Sequence, residues 1–324
     1  MKAIVQHEFG NADVLTYTEV PYPKLKDGEC LIRVAFTSVN YADIKARTGN
    51  KGKGNFPLTV GLDATGTIVE TTANSKFSVG DRVIAFPKAG SYAEYVIANE
   101  KLVYKVPDSL SFEQAATMPT VSILAYMLLH EIGQVQPSDT IVVHSAAGGV
   151  GSMLVQLAKL AGVQKIIATV GNLEKCDYVK ERGADIVCTY ESFASEVLKE
   201  TNQTGANVIF DSVAGDVTSS SLQCLALYGT LVQFGNSSGK AGTFKTSDVH
   251  SSCRNVKGFS LGTTRKHDPD RLVPIAEKVI ELFATNQLSL KIAKVFELKD
   301  AKEAHKLIES RNYEGKVLLK VSNE

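Results

Sequence analysis

No two cysteines of this chain form a C-x-x-C pair, and the five present, Cys30, Cys176, Cys188, Cys224 and Cys253, are odd in number and far apart. That spacing argues against a disulfide framework and against a cysteine-rich zinc site. The six histidines show no H-x-x-x-H spacing either, so no metal-binding helix face is expected. Neither sign of charge is in excess: Lys plus Arg and Asp plus Glu both number 35. No global field therefore draws the chain to nucleic acid or to an anionic membrane, and an aromatic-basic recognition motif is missing too. No uninterrupted apolar run approaches the roughly 20 residues that span a bilayer. The opening MKAIVQHEFG has no basic segment leading into a long apolar one, so a secretory signal is not expected. The cysteine usage fits a reducing, cytoplasmic setting. Repeats and low-complexity tracts are also lacking.

What is present is a globular composition, 44% hydrophobic and 22% charged over 324 residues, a length that predicts two domains. As far as about residue 110, short strand candidates (CLIRVAF, VGLDATGTIVE, GDRVIAF, SYAEYVIA) are punctuated by Gly80, Asp81 and Gly90, which reads as mostly β. At Ser111 the pattern changes: Ser111 followed by Gln114 is a capping-box arrangement, and it leads to an apolar helical run, VSILAYMLLHEI. From Thr140 onward strands and helices alternate. The strands are IVVH, KIIAT, DIVCT, NVIFD, GTLVQF and VKGFSL, with helices predicted in GSMLVQLAKLA, LEKCDYVKER, FASEVLKET and SSSLQCLAL. Parallel neighbours need a crossover element between them, so six such strands predict a doubly wound parallel sheet. Two amphipathic helices, PIAEKVIELFA and DAKEAHKLIES, and a strand, GKVLLKV, close the chain.

The motif richest in chemistry is HSAAGGVGSMLVQLA, residues 144–158, which follows a predicted strand and opens a predicted helix. In a dinucleotide fold this turn lets the backbone approach a diphosphate, and the helix N-terminus offers its N–H groups to it. Ala147, Gly148, Gly149 and Val150 are the candidate contacts, and Gly151 is the position for close helix packing. Ala146 stands where the general pattern has its first glycine, and an ordinary strand-to-helix turn is the competing interpretation. The next strand ends in TVGNLEKC, with Thr169, Val170 and Gly171 where an NAD enzyme carries an acid for the ribose hydroxyls. Gly171, Asn172 and Lys175 are therefore candidate contacts of a 2'-phosphate, although Lys175 is equally read as a solvated first-turn lysine. Asp211 comes too late for the ribose role and reads as a turn or helix-entry residue. His144 reads as packed at the end of its strand.

With these segments, SVNYADIKARTG, VGLDATGTIVE, VGDRVIAF, AAGGVG, IFDSVAG, FGNSSG and LIESRNYEGKVLL, the chain resembles the medium-chain dehydrogenase/reductase superfamily over essentially its whole length. Within that superfamily it resembles the zinc-free quinone oxidoreductases. The resemblance implies an α/β protein: a GroES-like, mostly β catalytic domain from residues 1–120 and 262–324, and a six-stranded Rossmann domain from residues 121–261. Zinc-dependent relatives carry a cysteine and a histidine ligand where this chain has Asn40 and Leu62, and the four-cysteine structural zinc lobe is missing. Zinc needs nitrogen and sulfur donors in a four-coordinate set, so no metal is expected.

By the same resemblance NADPH is the cofactor, lying in a cleft between the domains. Asn40 meets the nicotinamide ribose region, and Tyr126 lies beside the cofactor. Gly171, Lys175, Tyr190 and Arg311 surround the 2'-phosphate, and Phe234, Gly235, Asn236 and Ser237 line the nicotinamide end. Arg311 alternatively satisfies a helix C-terminus. Asn40 and Asp43 are the candidate catalytic residues, as hydrogen-bonding or positioning groups. Asp43 is alternatively a cap for the following turn, and Asp63 a partner of backbone or of Arg47. Tyr41 and Arg265 are candidates for the pocket mouth or for the surface.

The activity implied is hydride transfer from NADPH to a quinone. Reduction of α,β-unsaturated aldehydes or ketones is the alternative, and a cofactor-binding structural or RNA-binding protein a further one. A homodimer paired through VKGFSL is also expected.

Overall fold

The structure, a computed structural model, describes residues 1–50 and 54–322. The chain divides into two compact units, one comprising Met1–Ile123 with Thr263–Glu324 and the other Leu124–Gly262. The last two residues of the expected range 262–324 lie outside the described residues.

Antiparallel pairing builds most of the first unit. Its larger sheet runs in the order Ile292–Glu297, Lys316–Lys320, Glu29–Val39, Ala64–Thr71, Arg82–Ala85 and Val103–Lys105, with Tyr95–Asn99 also paired to Glu29–Val39. These strands feed a core around Ile32, Val34, Ile68, Val83 and Val96, and the central one, Glu29–Val39, is buried at ten of its eleven positions, on both faces. Helix Ala301–Ser310 packs its Ala304 and Ile308 with Val39, Val317 and Leu319 in a second cluster. The strand Ile292–Glu297 escapes the sequence patterns because no clean buried face alternates along it. One register decides the chemistry: Val317 pairs with Val39, which brings Lys316 beside Asn40.

The capping box forms as its residues predict. Ser111 Oγ accepts from the Gln114 N–H at 3.1 Å and Gln114 Oε1 from the Ser111 N–H at 3.1 Å, opening the helix Phe112–Ala116. The apolar run beyond it is not one uniform helix. Pro119–Tyr126 is α-helical, and Met127–Ile132 widens to a π-helical turn, a distortion frequent at functional sites.

The second unit carries a six-stranded, all-parallel sheet in the order Ile186–Thr189, Lys165–Val170, Thr140–Val143, Ala206–Asp211, Leu225–Gln233, Asn255–Gly258. The fold is thus the expected α/β pairing of a GroES-like sheet and a Rossmann-type sheet. Strand order reverses between Thr140–Val143 and Ala206–Asp211, so the carboxyl ends of those two strands mark the crevice where such sheets bind ligands. One expected helix is shorter than its pattern: Asp216–Gln223 is helical, but Leu225, Ala226 and Leu227 already belong to the fifth strand. Among the described residues no helix is long and apolar enough to cross a membrane.

Candidate functional site

The glycine turn of the second unit lies at that reversal point. Gly148 caps the helix Gly149–Leu160 in extended conformation, so Gly149 and Val150 open its first turn, whose N–H groups have no intrahelical partner. Gly151 must be glycine, since a Cβ there would stand 2.4 Å from Ser145 O and 2.7 Å from Ala146 Cα. Ser145 itself is left-handed, φ 54, a costly conformation for a residue with a Cβ. Tyr190 holds it there: its hydroxyl accepts from the Ser145 N–H at 3.0 Å and hydrogen-bonds the Ser145 hydroxyl at 3.0 Å. Ala147 is buried within the turn. These donors and this shape fit a diphosphate. His144, just before the turn, is packed as expected, bonded to Thr169 Oγ1 and Ser221 Oγ at 2.9 Å each. Burial pulls its imidazole down to about 4.

At the end of the second strand Gly171 has open space, with no atom within 4 Å of an added Cβ. Asn172 caps the short turn Leu173–Lys175, its Oδ1 accepting from the Glu174 N–H at 2.9 Å and its Nδ2 donating to Glu174 Oε2 at 2.7 Å. Glu174 is the acid that sequence spacing passed over, because it stands one turn beyond the strand end rather than on it. Lys175 is half-buried at the end of the same turn.

Asp211 is a turn residue. Its Oδ1 accepts from the N–H groups of Val213 and Ala214 at 2.7 and 2.9 Å, and its Oδ2 from the Thr218 hydroxyl at 2.7 Å. Against this turn lies the segment Phe234–Ser237. The Phe234 N–H donates to Asp211 O at 3.0 Å and the Ser237 N–H to Ser212 O at 3.0 Å. Gly235 passes so close that a Cβ would meet Ser212 O at 2.8 Å; Asn236 lies between. Tyr126 ends its helix with its ring centroid 4.3 Å from that of His130.

The first unit holds the remaining candidates, most of them in a buried polar network. Asn40 Nδ2 donates to Asp63 Oδ2 at 3.0 Å and Ser38 Oγ at 3.2 Å, while Lys316 Nζ donates to Asn40 Oδ1 at 2.7 Å and to Val39 O at 3.3 Å. The Asn40 amide is therefore turned inward. Ser38 gives Asp63 Oδ1 its hydroxyl at 2.6 Å and its N–H at 3.2 Å. Asp63 thus anchors Ser38 and Asn40 rather than Arg47. Asp43 is the reciprocal cap of helix Tyr41–Arg47, its Oδ2 accepting from the Asn40 N–H at 2.8 Å.

Burial lowers the Lys316 ammonium from its ordinary range, and Asp63 and Asp43 oppose that shift. Arg47 is matched on every side: Nε donates to Gly10 O at 3.1 Å, Nη1 to Glu309 Oε2 at 3.2 Å and Nη2 to Glu309 Oε1 at 2.5 Å.

Arg265 is half-buried, its guanidinium 4.7 Å from the Phe86 ring centroid and donating to Leu62 O at 3.2 Å. Tyr41 is exposed, with the Lys45 ammonium 5.7 Å from its ring centroid. Arg311 caps helix Ala301–Ser310 in left-handed conformation, φ 57.

Sequence reasoning missed Lys316, Tyr92 and His305. The one local signal was a lysine heading the otherwise apolar strand VLL. Asn40 and Leu62 occupy the positions of the zinc ligands of zinc-dependent relatives, and among the described residues no three His, Cys, Asp or Glu side chains group to hold a metal.

Comparison with known proteins agrees with both units. Residues 26–108 match the family described as "Alcohol dehydrogenase GroES-like domain" and residues 149–278 the one described as "Zinc-binding dehydrogenase". A probable quinone oxidoreductase of Schizosaccharomyces pombe is 34% identical over 96% of this chain and 94% of its own length. Among solved structures, Escherichia coli quinone oxidoreductase complexed with NADPH superposes with a TM-score of 0.93 at 27% identity, covering 99% of this chain and 100% of that one. A mycobacterial protein complexed with NADPH gives 0.93 at 30% identity, with 99% and 100% covered.

Proposed function

The chain belongs to the medium-chain dehydrogenase/reductase superfamily, among its zinc-free quinone oxidoreductases, and from that membership we propose that it reduces a quinone with NADPH and without a metal ion. The observation that carries the cofactor choice is the open position at Gly171, where an acid would otherwise stand against a 2'-phosphate. When bound, the nicotinamide supplies the hydride.

The residues of the chain bind and orient. Ala147, Gly149 and Val150 present N–H groups to the diphosphate; Gly148, whose own N–H is taken by Ser145 O at 2.9 Å, lets the backbone come close, and the Tyr190 hydroxyl keeps that turn in its strained shape. Gly171, Asn172 and Lys175 receive the extra phosphate. Tyr126 and the Phe234–Ser237 segment, which includes Gly235 and Asn236, border the nicotinamide. Asn40 and Asp43 are positioning groups, since the Asn40 amide and Asp43 Oδ2 are committed to a buried network. A quinone asks little more, because it accepts an electron pair readily and takes its protons from water.

NADPH oxidation should be followed with a naphthoquinone or phenanthrenequinone and, separately, with alkenals and enoyl thioesters. Rapid quinone turnover is expected. Fast alkenal turnover beside negligible quinone turnover would replace the substrate class, and tight NADPH binding without any turnover would mark a binding protein.

A homodimer is proposed through Asn255–Gly258, the edge strand of the parallel sheet. Its unpaired backbone invites a partner, and Leu227, Tyr228 and Val256 are 69%, 74% and 37% exposed. Light scattering is expected to give a dimer for the parent and a monomer for Val256→Lys; a monomeric parent contradicts the assignment.

A further inference from the structure

Behind Asp43 runs a chain of hydrogen bonds whose direction can be deduced. Tyr92 OH lies 3.4 Å from Asp43 Oδ2 and 3.1 Å from His305 Nε2, and His305 Nδ1 lies 3.2 Å from Arg47 Nη1. Arg47, Asp43, Tyr92 and His305 are each at most 1% exposed, and they come from three separate stretches of sequence. A guanidinium has only donors and does not give up its proton at physiological pH. Arg47 therefore donates, and His305 Nδ1 must accept. The imidazole then carries its proton on Nε2, which donates to the Tyr92 oxygen. The Tyr92 hydroxyl in turn has its own proton left for Asp43.

Every bond points the same way, from Arg47 through His305 and Tyr92 to the carboxylate. The ionisation of the members agrees with that direction. Burial, with Arg47 adding to it, pushes the imidazole down to about 3, so it stays neutral. Burial, followed by the charges of Asp43 and Asp63, lifts the Tyr92 phenol well above its ordinary value. The charged groups around the chain are accounted for: Glu309 faces Arg47, and Lys316 and Arg265 feel both Asp43 and Asp63.

We propose that Tyr92 and His305 are positioning residues, a one-way donor chain that keeps Asp43 an anion and through its bond to the Asn40 backbone fixes Asn40, so that no proton reaches the substrate through Asp43. This rests on the quinone-reductase assignment. A chain of this polarity ends on an acceptor. It can stabilise negative charge on Asp43, but it cannot pass a proton onward without reversing every bond, which Arg47 forbids.

The overall step then balances with water as the acid. The quinone takes up a hydride and becomes the hydroquinone monoanion. One proton from solvent completes the hydroquinone.

Nitrogen-15 NMR of the whole protein, with His305→Gln to assign the signal, reads the tautomer directly. His305 is expected as the Nε2–H form, unchanged between about pH 5 and 8 because burial holds its pKa far below that range. The Nδ1–H form, or titration within that range, overturns the proposal.

Tyr92→Phe, which keeps the ring and removes only the donor, is expected to weaken NADPH binding by up to about tenfold, because Asn40, which Asp43 holds, is assigned to the nicotinamide ribose. The pH profile of kcat should stay unchanged. Loss of an ionisation from that profile in Tyr92→Phe would show a proton relay and overturn the proposal. Failure of the parent enzyme to reduce any quinone would sink the assigned activity instead, while the tautomer measurement would still decide the direction of the chain.

Discussion

Replacing Lys316 with methionine is expected to destabilise the protein by about 3–5 kcal/mol, the cost of removing one partner from a buried charge cluster. The ammonium is 3% exposed as a residue, bonds Asn40 Oδ1 at 2.7 Å and faces Asp63 and Asp43. Without it two buried carboxylates lose one of the cations that act on them, and the Asn40 amide loses an anchor. Methionine matches the length of the stem, so little packing is lost and the effect isolates the charge. The unfolding midpoint should fall by on the order of 10 °C.

Lys101→Met is the control. Its ion pair with Asp270, 2.7 Å long, has side chains 56% and 67% exposed, and exposed pairs contribute at most about 1 kcal/mol. Equal midpoints for Lys316→Met and Lys101→Met would show that Asp63 and Asp43 need no cation beside them.

Position in the sheet, rather than sequence pattern, explains why that lysine was invisible from sequence. It stands more than 250 positions from Asn40, and only the antiparallel register Val317 to Val39 joins them. Tyr92 and His305 were hidden for the same reason, each being an ordinary member of a strand-rich or amphipathic stretch until the helix Ala301–Ser310 packs down. The Rossmann strands were legible because both faces are buried. Ile141, Val142 and Val143 are fully enclosed, and such strands read as unbroken apolar runs. The same property misled the reading of CLAL, where an apolar run fits helix and strand equally well and pairing with the fourth strand decides. The π-helical turn had no signature at all, because a change of hydrogen-bond register leaves composition untouched. The glycine turn was legible since its spacing encodes backbone approach, and Gly151 shows why: its missing Cβ is the helix-to-turn contact itself.

Lys175→Ala is expected to weaken NADPH binding by about 10- to 100-fold, which corresponds to one or two charge-assisted bonds to phosphate. NADH has no such phosphate, so its affinity should change by less than about twofold. Glu174, whose carboxylate is held by the Asn172 amide, sets the opposite sign: its charge opposes the phosphate, and Glu174→Gln should tighten NADPH alone. The distinction matters because the diphosphate turn serves either nucleotide, and only the end of the second strand separates them.

Titration calorimetry of the parent protein with NADPH and then with NADH tests this most directly. Saturable heat at one site per chain, with NADPH bound at least about tenfold more tightly, is the result expected. Equal affinities would contradict the role given to Gly171 and Lys175, and no heat from either nucleotide would contradict the dinucleotide site altogether.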